Sequence, residues 1–275
     1  MTDPALLTER EAWGVRLTLN RPDKLNAINR ELRDALAAAV RDAAVDTTVR
    51  VIVIQGAGRA FCSGYDLSEA APADTWSWRQ VLSADVEATL AIWRCPKPVI
   101  AQVHGYALAG GLELAMACDL VVAAEDAQLG EPEIRFGSAP VTLLMPFLIG
   151  QKMTRELLFT GDLVDGREAA RIGLVNRAVA AEELTHVVDA LADKLARVPE
   201  DVMAPTKLML NRAMEAAGFL AAVEAGLDLQ SFVNVSETSR EFDAIVRRDG
   251  LKAALHWRDE RYEERLADLG RPEGG

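Results

Sequence analysis

Little in these 275 residues speaks for secretion, metal binding or nucleic-acid recognition. There are three cysteines, Cys62, Cys95 and Cys118. An odd number, with no Cys-x-x-Cys pair and no histidine at ligand spacing, excludes a disulfide framework or a zinc finger and predicts reduced, buried thiols; no metal site is expected. The three histidines, His104, His186 and His256, share no spacing and read as structural or surface residues. Basic residues are outnumbered, 30 Lys and Arg against 42 Asp and Glu, which leaves a formal charge of −12. Such a field repels DNA, RNA and anionic membranes, so neither nucleic acid nor membrane is an expected partner; an anionic small ligand would need a local patch of cations or backbone N–H groups. Met1 to Arg16 carries no basic segment followed by an apolar one, and the expected location is the cytoplasm. No fixed-period repeat and no low-complexity linker is present. The one long apolar run, Val99 to Ala124, contains Glu113 and Asp119 and is broken at Gly105 and Gly110-Gly111. An acidic residue at a bilayer centre costs about 2.5–3.5 kcal/mol, so the run reads as several core elements and not as a span.

What the chain does have is ample apolar material, 50 % of residues, with 26 % charged, enough for a full globular core. Gly14 to Asn20 (GVRLTLN) alternates as a half-buried strand and stops at the turn signal Arg21-Pro22-Asp23. Arg30 to Ala44 places Leu32, Leu36, Ala39 and Val40 at helical spacing behind Asn29, a good N-cap. Val49 to Gln55 is a β-branched run ending in Gly56-Ala57-Gly58, so the first part of the chain is an α/β unit. A polar loop from Asp66 to Asp74 leads into a helix over Trp76 to Trp93. Two strands, Val99 to His104 and Asp119 to Ala124, then bracket a short apolar helix starting near Gly110. After about Ala181 the strand signals fade, and helical periods follow over Glu182 to Val198, Ala204 to Ala217, Phe219 to Val233, Ser239 to Arg247 and Leu251 to Leu266. The last five residues, Arg271 to Gly275, lack periodicity and are expected to fray.

Three segments are candidates for chemistry. The first, Ala60-Phe61-Cys62-Ser63-Gly64-Tyr65-Asp66-Leu67, follows a strand. Gly64 permits a bend that would turn the N–H of Tyr65 into a cavity, although taken alone the segment reads as an ordinary tight loop. It is no nucleophile elbow, because Phe61 stands two residues before Ser63. The second, His104 to Ala115, is a strand, a small-residue turn and a helix start. There the Gly110 N–H lacks an intrahelical partner and sits at the positive end of the helix dipole, a natural donor to a developing oxyanion. Close packing on a sheet accounts for Gly110-Gly111 equally well. Glu113 tips the balance, because a carboxylate in the first turn of an apolar helix lies in a core and needs a reason to be there. The third, Leu129-Gly130-Glu131-Pro132-Glu133-Ile134, offers two carboxylates on one face of an extended chain. Glu131 alone reads as part of a solvated acidic loop; Glu133 stands beside the apolar Ile134 and near Phe136.

In this order, spread over Pro22 to Glu133, these segments resemble the enoyl-CoA hydratase (crotonase) family. Arg21-Pro22 with Asn26-Ala27-Ile28 is similar to its early loop, Ala60 to Leu67 to its first oxyanion segment and Gly105 to Glu113 to its second. Glu113 and Glu133 stand 20 positions apart, as in the family's hydratases, and Asp119 falls where they carry Asp. The resemblance implies an α/β fold, a crotonase-type spiral of ββα units over residues 1–200, with a helical trimerisation region over 201–275 and a homotrimer or a hexamer formed as a dimer of trimers. It further implies hydration of a 2-enoyl-CoA thioester to a 3-hydroxyacyl-CoA. The N–H groups of Tyr65 and Gly110 would hold the thioester oxygen, Glu113 would activate water and Glu133 would deliver a proton. Lys24, Ala27, Ser63, Asp66, Leu67 and Ser68 are the implied substrate contacts. Coenzyme A enters as part of the substrate, with no separate cofactor. An enoyl-CoA isomerase or an acyl-CoA hydrolase of the same fold is the nearest alternative, and a CoA-binding scaffold protein the non-enzymatic one.

The chain differs from the family pattern after Glu133, where Phe136-Gly137-Ser138-Ala139-Pro140-Val141-Thr142-Leu143 replaces a glycine-rich loop that shapes the acyl pocket. It differs again at Tyr65, where a small residue is common. Acyl specificity is therefore left open. Trp76, Trp78, Leu143 and Phe147 are candidates to line the pocket or to be plain core, and Arg258 is a stand-in for the lysine that relatives place near the adenine.

Overall fold

The computed structural model describes residues 3–269. Its N-terminal part alternates strands with helices: β1 (Leu6–Glu11), β2 (Gly14–Leu19), α1 (Arg30–Val45), β3 (Val51–Gly56), α2 (Thr75–Arg94), β4 (Val99–Val103), β5 (Tyr106–Leu108), α3 (Gly110–Ala117), β6 (Leu120–Ala124) and β7 (Gln128–Gly130). After a 3-10 turn at Pro132–Phe136 come α4 (Met145–Leu148), α5 (Gln151–Thr160), β8 (Val164–Asp165), α6 (Gly166–Ile172) and β9 (Arg177–Val179). Five helices finish the chain: α7 (Leu184–Ala196), α8 (Glu200–Ala216), α9 (Phe219–Val233), α10 (Glu237–Asp249) and α11 (Leu251–Leu269). The apolar run Val99–Ala124 is thus four short elements. Among the described residues no single helix is long and apolar enough to cross a membrane.

Six strands form one sheet in the order β1-β2-β3-β4-β6-β9, and β5-β7-β8 form a second. In the larger sheet only the β1–β2 pair is antiparallel. Parallel strands covered on both faces need apolar residues on both, which is why Val51-Ile52-Val53-Ile54 and Val99-Ile100-Ala101 are fully buried. Two consecutive strands, β4 and β5, fall in different sheets before α3 begins, and β6 and β7 do the same before the 3-10 turn. The mixed α/β architecture with a helical C-terminal region is the expected one. The expected N-cap is also in place, with Asn29 Oδ1 accepting from the Leu32 N–H at 2.9 Å. The three cysteines are free and buried.

Strand β1 escapes a periodicity test because four of its six residues are exposed and it lies at the edge of the sheet. Strands β5, β7, β8 and β9 have three residues or fewer, too short to carry any period. The expected fraying of residues 271–275 lies outside the described residues.

The last two helices form their own small core around Phe242, Ile245 and Ala254. Together with α9 they close on the segment after Glu133. Phe136 stacks on Phe242 with ring centroids 4.6 Å apart, Gln230 Nε2 donates to Ser138 Oγ at 2.7 Å, and a side chain at Gly137 would run into the Ser239 backbone nitrogen at 2.8 Å. Arg135 donates to the Thr160 carbonyl and pairs with Asp162, while Tyr262 lies over its guanidinium. This segment is held from both sides.

Candidate active site

Two loops meet where the N–H groups of Tyr65 and Gly110 come together. On the first, Tyr65 forms an isolated parallel bridge with Ile28. The Ile28 N–H donates to the Gly64 carbonyl at 2.8 Å and the Asp66 N–H to the Ile28 carbonyl at 2.9 Å. A parallel bridge takes its bonds from the flanking residues, so the N–H of Tyr65 itself turns to the opposite side. Gly64 makes the bend with φ of +97°, a conformation costly for any residue with a Cβ. The loop is braced from below by Asn26, fully buried, whose Nδ2 donates to the carbonyls of Ala57 and Ala60 and whose Oδ1 accepts the Arg21 N–H, each at 2.8 Å.

On the second loop, Ala109 has φ of +51°, rare for a non-glycine residue, and its N–H donates to the Gly130 carbonyl at 2.9 Å. That strained peptide starts α3, with the Ala109 carbonyl accepting the N–H groups of both Leu112 and Glu113. Gly110 is left as the first residue of the helix. Among the described residues neither the Tyr65 N–H nor the Gly110 N–H has a protein acceptor. The two loops touch: a Cβ on Gly64 would lie 2.9 Å from the Ala109 Cβ and 3.5 Å from the Gly110 nitrogen. A Cβ on Gly110 would meet the Tyr65 ring at 2.4 Å, and one on Gly111 the Cys62 carbonyl oxygen at 2.4 Å. The double glycine is therefore required by close packing as well as being positioned to donate. Two free N–H groups on abutting turns, one at a helix N-terminus, form a fixed dipole pair suited to an oxyanion.

Glu113 and Glu133 are both buried, 3 % and 6 % exposed. Their surroundings differ. Glu113 Oε1 accepts two backbone N–H groups, from Val141 at 2.8 Å and Thr142 at 2.5 Å. Burial pushes the Glu113 carboxyl up to about 7; the two N–H donors pull it back, and Asp85 on α2 pushes it further up. Asp85 is itself raised to about 6 by burial, against the pull of Arg33, whose Nη1 lies 3.1 Å away. Burial pushes Glu133 up to about 8, with only its own backbone N–H opposing and Glu113 adding to the rise, and its Oε2 is buried without a partner. The same site thus holds one carboxyl with donors arranged for its charged form and one that keeps its proton longer.

An enoyl-CoA hydratase/isomerase family model matches residues 10–255. The chain belongs to that family. Among curated relatives, the chain is 36 % identical over 223 residues to a probable enoyl-CoA hydratase of Mycobacterium bovis, covering 79 % of this chain and 85 % of the relative. It is 34 % identical over 218 residues to a crotonyl-CoA hydratase of Syntrophomonas wolfei, covering 76 % and 82 %. Among solved structures, an enoyl-CoA hydratase/isomerase from Xanthobacter autotrophicus superposes with a TM-score of 0.91 at 40 % identity, covering 94 % of this chain and 99 % of that one. Members of this family act on acyl-CoA thioesters, and the fold and family expected from the sequence are those found.

The remaining residues singled out in the sequence are distributed unevenly. Ala27 is buried beside the bridge, while Lys24, Leu67 and Ser68 are exposed and Ser63 half-buried, its N–H donating to the Leu25 carbonyl at 3.0 Å. The Asp66 carboxylate is occupied within the protein: it pairs with Arg21 at 2.8 Å and accepts from the Ser68 hydroxyl at 2.6 Å. Its side chain clamps the loop. Asp119 accepts the Val99 N–H at 2.8 Å and pairs with Lys207 at 2.7 Å. Arg258 pairs with its neighbour Asp259 at 2.7 Å. Trp76 is 69 % exposed, whereas Trp78 and Phe147 pack against the main core.

One expectation is overturned. Glu131 lies on no solvated loop: it is 1 % exposed, and neither carboxyl oxygen has a partner. It stands just before the 3-10 turn that begins at Pro132 and is buried together with Glu133. No local sequence signal marks this burial, because the Gly130–Ala109 backbone bond that fixes the stretch against the start of α3 joins distant segments.

Proposed function

We propose that this protein is an enoyl-CoA hydratase, a hydro-lyase that adds water across the 2,3 double bond of a 2-enoyl-CoA thioester and gives a 3-hydroxyacyl-CoA. The observation that carries this reading is the pair of buried carboxyls in unequal surroundings, Glu113 cradled by two N–H donors and Glu133 without a donor on Oε2. Hydration needs a base and an acid at once, while moving a double bond needs only one group to carry a proton. The cradled Glu113 takes a proton from water as the water oxygen bonds to C3. The π electrons of C2=C3 shift through C2 to the thioester oxygen, giving an enolate. The Tyr65 and Gly110 N–H groups hold that charge, each donor being worth about a hundredfold to a thousandfold in rate. Glu133 then delivers its proton to C2, the enolate collapses to the thioester, and the proton on Glu113 restores Glu133 through solvent.

Substrate contacts fall to the early loop and the first oxyanion segment in this reading, with Lys24, exposed on the surface, facing the CoA phosphates and no cofactor beyond the CoA of the substrate. A homotrimer, or a hexamer built from two, is the proposed assembly. It is supported by a row of large apolar side chains left exposed on α8 and α9, among them Leu208, Met209, Leu210, Leu229 and Phe232 at 55–68 %. The cytoplasm is the proposed location. Incubation with crotonyl-CoA in oxygen-18 water tests the reaction. Hydration puts the label on C3 of a 3-hydroxyacyl product, whereas free CoA or an unlabelled isomer as the product would contradict it.

A further inference from the structure

Hydration as proposed uses two of three buried glutamates. Glu131 is the third, and it is more completely enclosed than either of the others. It lies between two fixed points of the site: the preceding Gly130 accepts the Ala109 N–H just ahead of Gly110, and Glu133 follows two residues later. A carboxylate taken out of water with no hydrogen bond and no cation costs several kcal/mol, which a folded protein avoids by keeping the proton. The charged groups around it offer no relief. Glu133 from the 3-10 turn and Glu113 from α3 both add to the effect of burial in holding its proton on, and Asp85 behind Glu113 has the same sign. Arg135, the nearest cation along the chain, is turned to Thr160, Asp162 and Tyr262.

Buried oxygens without a partner include Glu131 Oε1 and Oε2 and, two residues on, Glu133 Oε2. Carboxylates can only accept, so three ionised glutamates would leave the cluster short of hydrogens. One proton on Glu131 gives it a hydrogen to donate toward Glu133 Oε2. We propose that Glu131 is a positioning residue that works as an uncharged carboxylic acid, offering the catalytic pair a neutral hydrogen-bonding wall in place of a third charge. The inference rests on the hydratase reading. It gives Glu131 a role that an amide can fill and neither an aliphatic side chain nor a permanent negative charge can.

The test compares wild type with Glu131→Gln and Glu131→Leu, each checked for an unchanged melting temperature and assayed with crotonyl-CoA across pH. Glu131→Gln is expected to stay within about threefold of wild type in kcat and to keep both limbs of the pH profile, because charge and donor are preserved. Glu131→Leu is expected to lose about tenfold or more in kcat with KM little changed, since it fills the space without the hydrogen bond. Infrared difference spectra of wild type minus Glu131→Gln supply a readout that needs no turnover, and should contain the carbonyl band of a protonated carboxyl at neutral pH. A carboxylate band there, or a limb displaced by a pH unit in Glu131→Gln, shows a charged Glu131 and overturns the proposal. So does a Glu131→Leu enzyme as fast as wild type, which makes the residue mere filling. If wild type hydrates nothing, the functional reading fails and takes the positioning role with it; if wild type is active, the variants and the infrared band judge Glu131 alone.

Discussion

Replacing Glu133 by Gln should stabilise the fold, and by an amount that grows with pH. In the unfolded chain this carboxyl ionises at its ordinary value of 4.5, whereas in the folded protein burial holds the proton up to about 8. Between those values the folded state binds the proton and the unfolded state does not. Raising the pH therefore favours unfolding, at about 1.4 kcal/mol for each pH unit. The stability is complete below the unfolded pKa and is lost as pH climbs toward the folded one, the opposite of the usual salt-bridged carboxylate. From pH 5.5 to 7.5 the term is on the order of 2–3 kcal/mol. An amide at 133 does not titrate. The stability difference between Glu133→Gln and wild type, measured by urea unfolding, should increase by that amount over the interval. Using the change between two pH values removes whatever the amide gains or loses by packing, because that contribution is independent of pH. An equal difference at both pH values would refute the reasoning, since it would mean that Glu133 is ionised in the folded protein like a surface glutamate.

Other outcomes follow from the same geometry. Gly110→Ala drives a Cβ against the Tyr65 ring at 2.4 Å and should lower kcat by about a hundredfold or more while circular dichroism stays native, as expected for loss of one oxyanion donor. The pH profile of kcat/KM should be a narrow bell, rising near 7 as Glu113 gives up its proton and falling near 8 as Glu133 does. Lys207→Met should destabilise the protein by about 1–3 kcal/mol in chemical denaturation, because it removes the buried donor of the Ile92 and Lys97 carbonyls and the partner of the more exposed Asp119.

How much of this was legible in the sequence depended on range. Helix α1 with its Asn29 cap, the buried strands β3 and β4, the start of α3 at Gly110 and α9 over Phe219–Val233 all follow from local patterns, because periodicity and capping are properties of a few consecutive residues. Gly64 and Gly110 could be singled out because their roles need a missing Cβ. What local patterns cannot hold is the partner across the fold. The cradle of Glu113 is made by Val141 and Thr142, 28 and 29 residues away, and nothing in their own sequence marks two N–H groups as donors. The Asp66 carboxylate has its partner in Arg21, 45 residues earlier, which no local window contains. The burial of Glu131 is equally non-local: polarity in a short acidic stretch suggests solvent, and only tertiary packing seals it. The family resemblance supplied the order of the motifs, but it gave no account of a glutamate two positions before Glu133.

The most direct test of the central claim, that Glu113 and Glu133 together hydrate an enoyl thioester, is the loss of ultraviolet absorbance of crotonyl-CoA and of a longer 2-enoyl-CoA on adding wild type, Glu113→Gln and Glu133→Gln. Wild type is expected to consume at least one of the two substrates, and each variant to fall by about a hundredfold or more in rate. A wild-type enzyme that binds CoA yet leaves both conjugated thioesters intact, or a variant that keeps the wild-type rate, would contradict it.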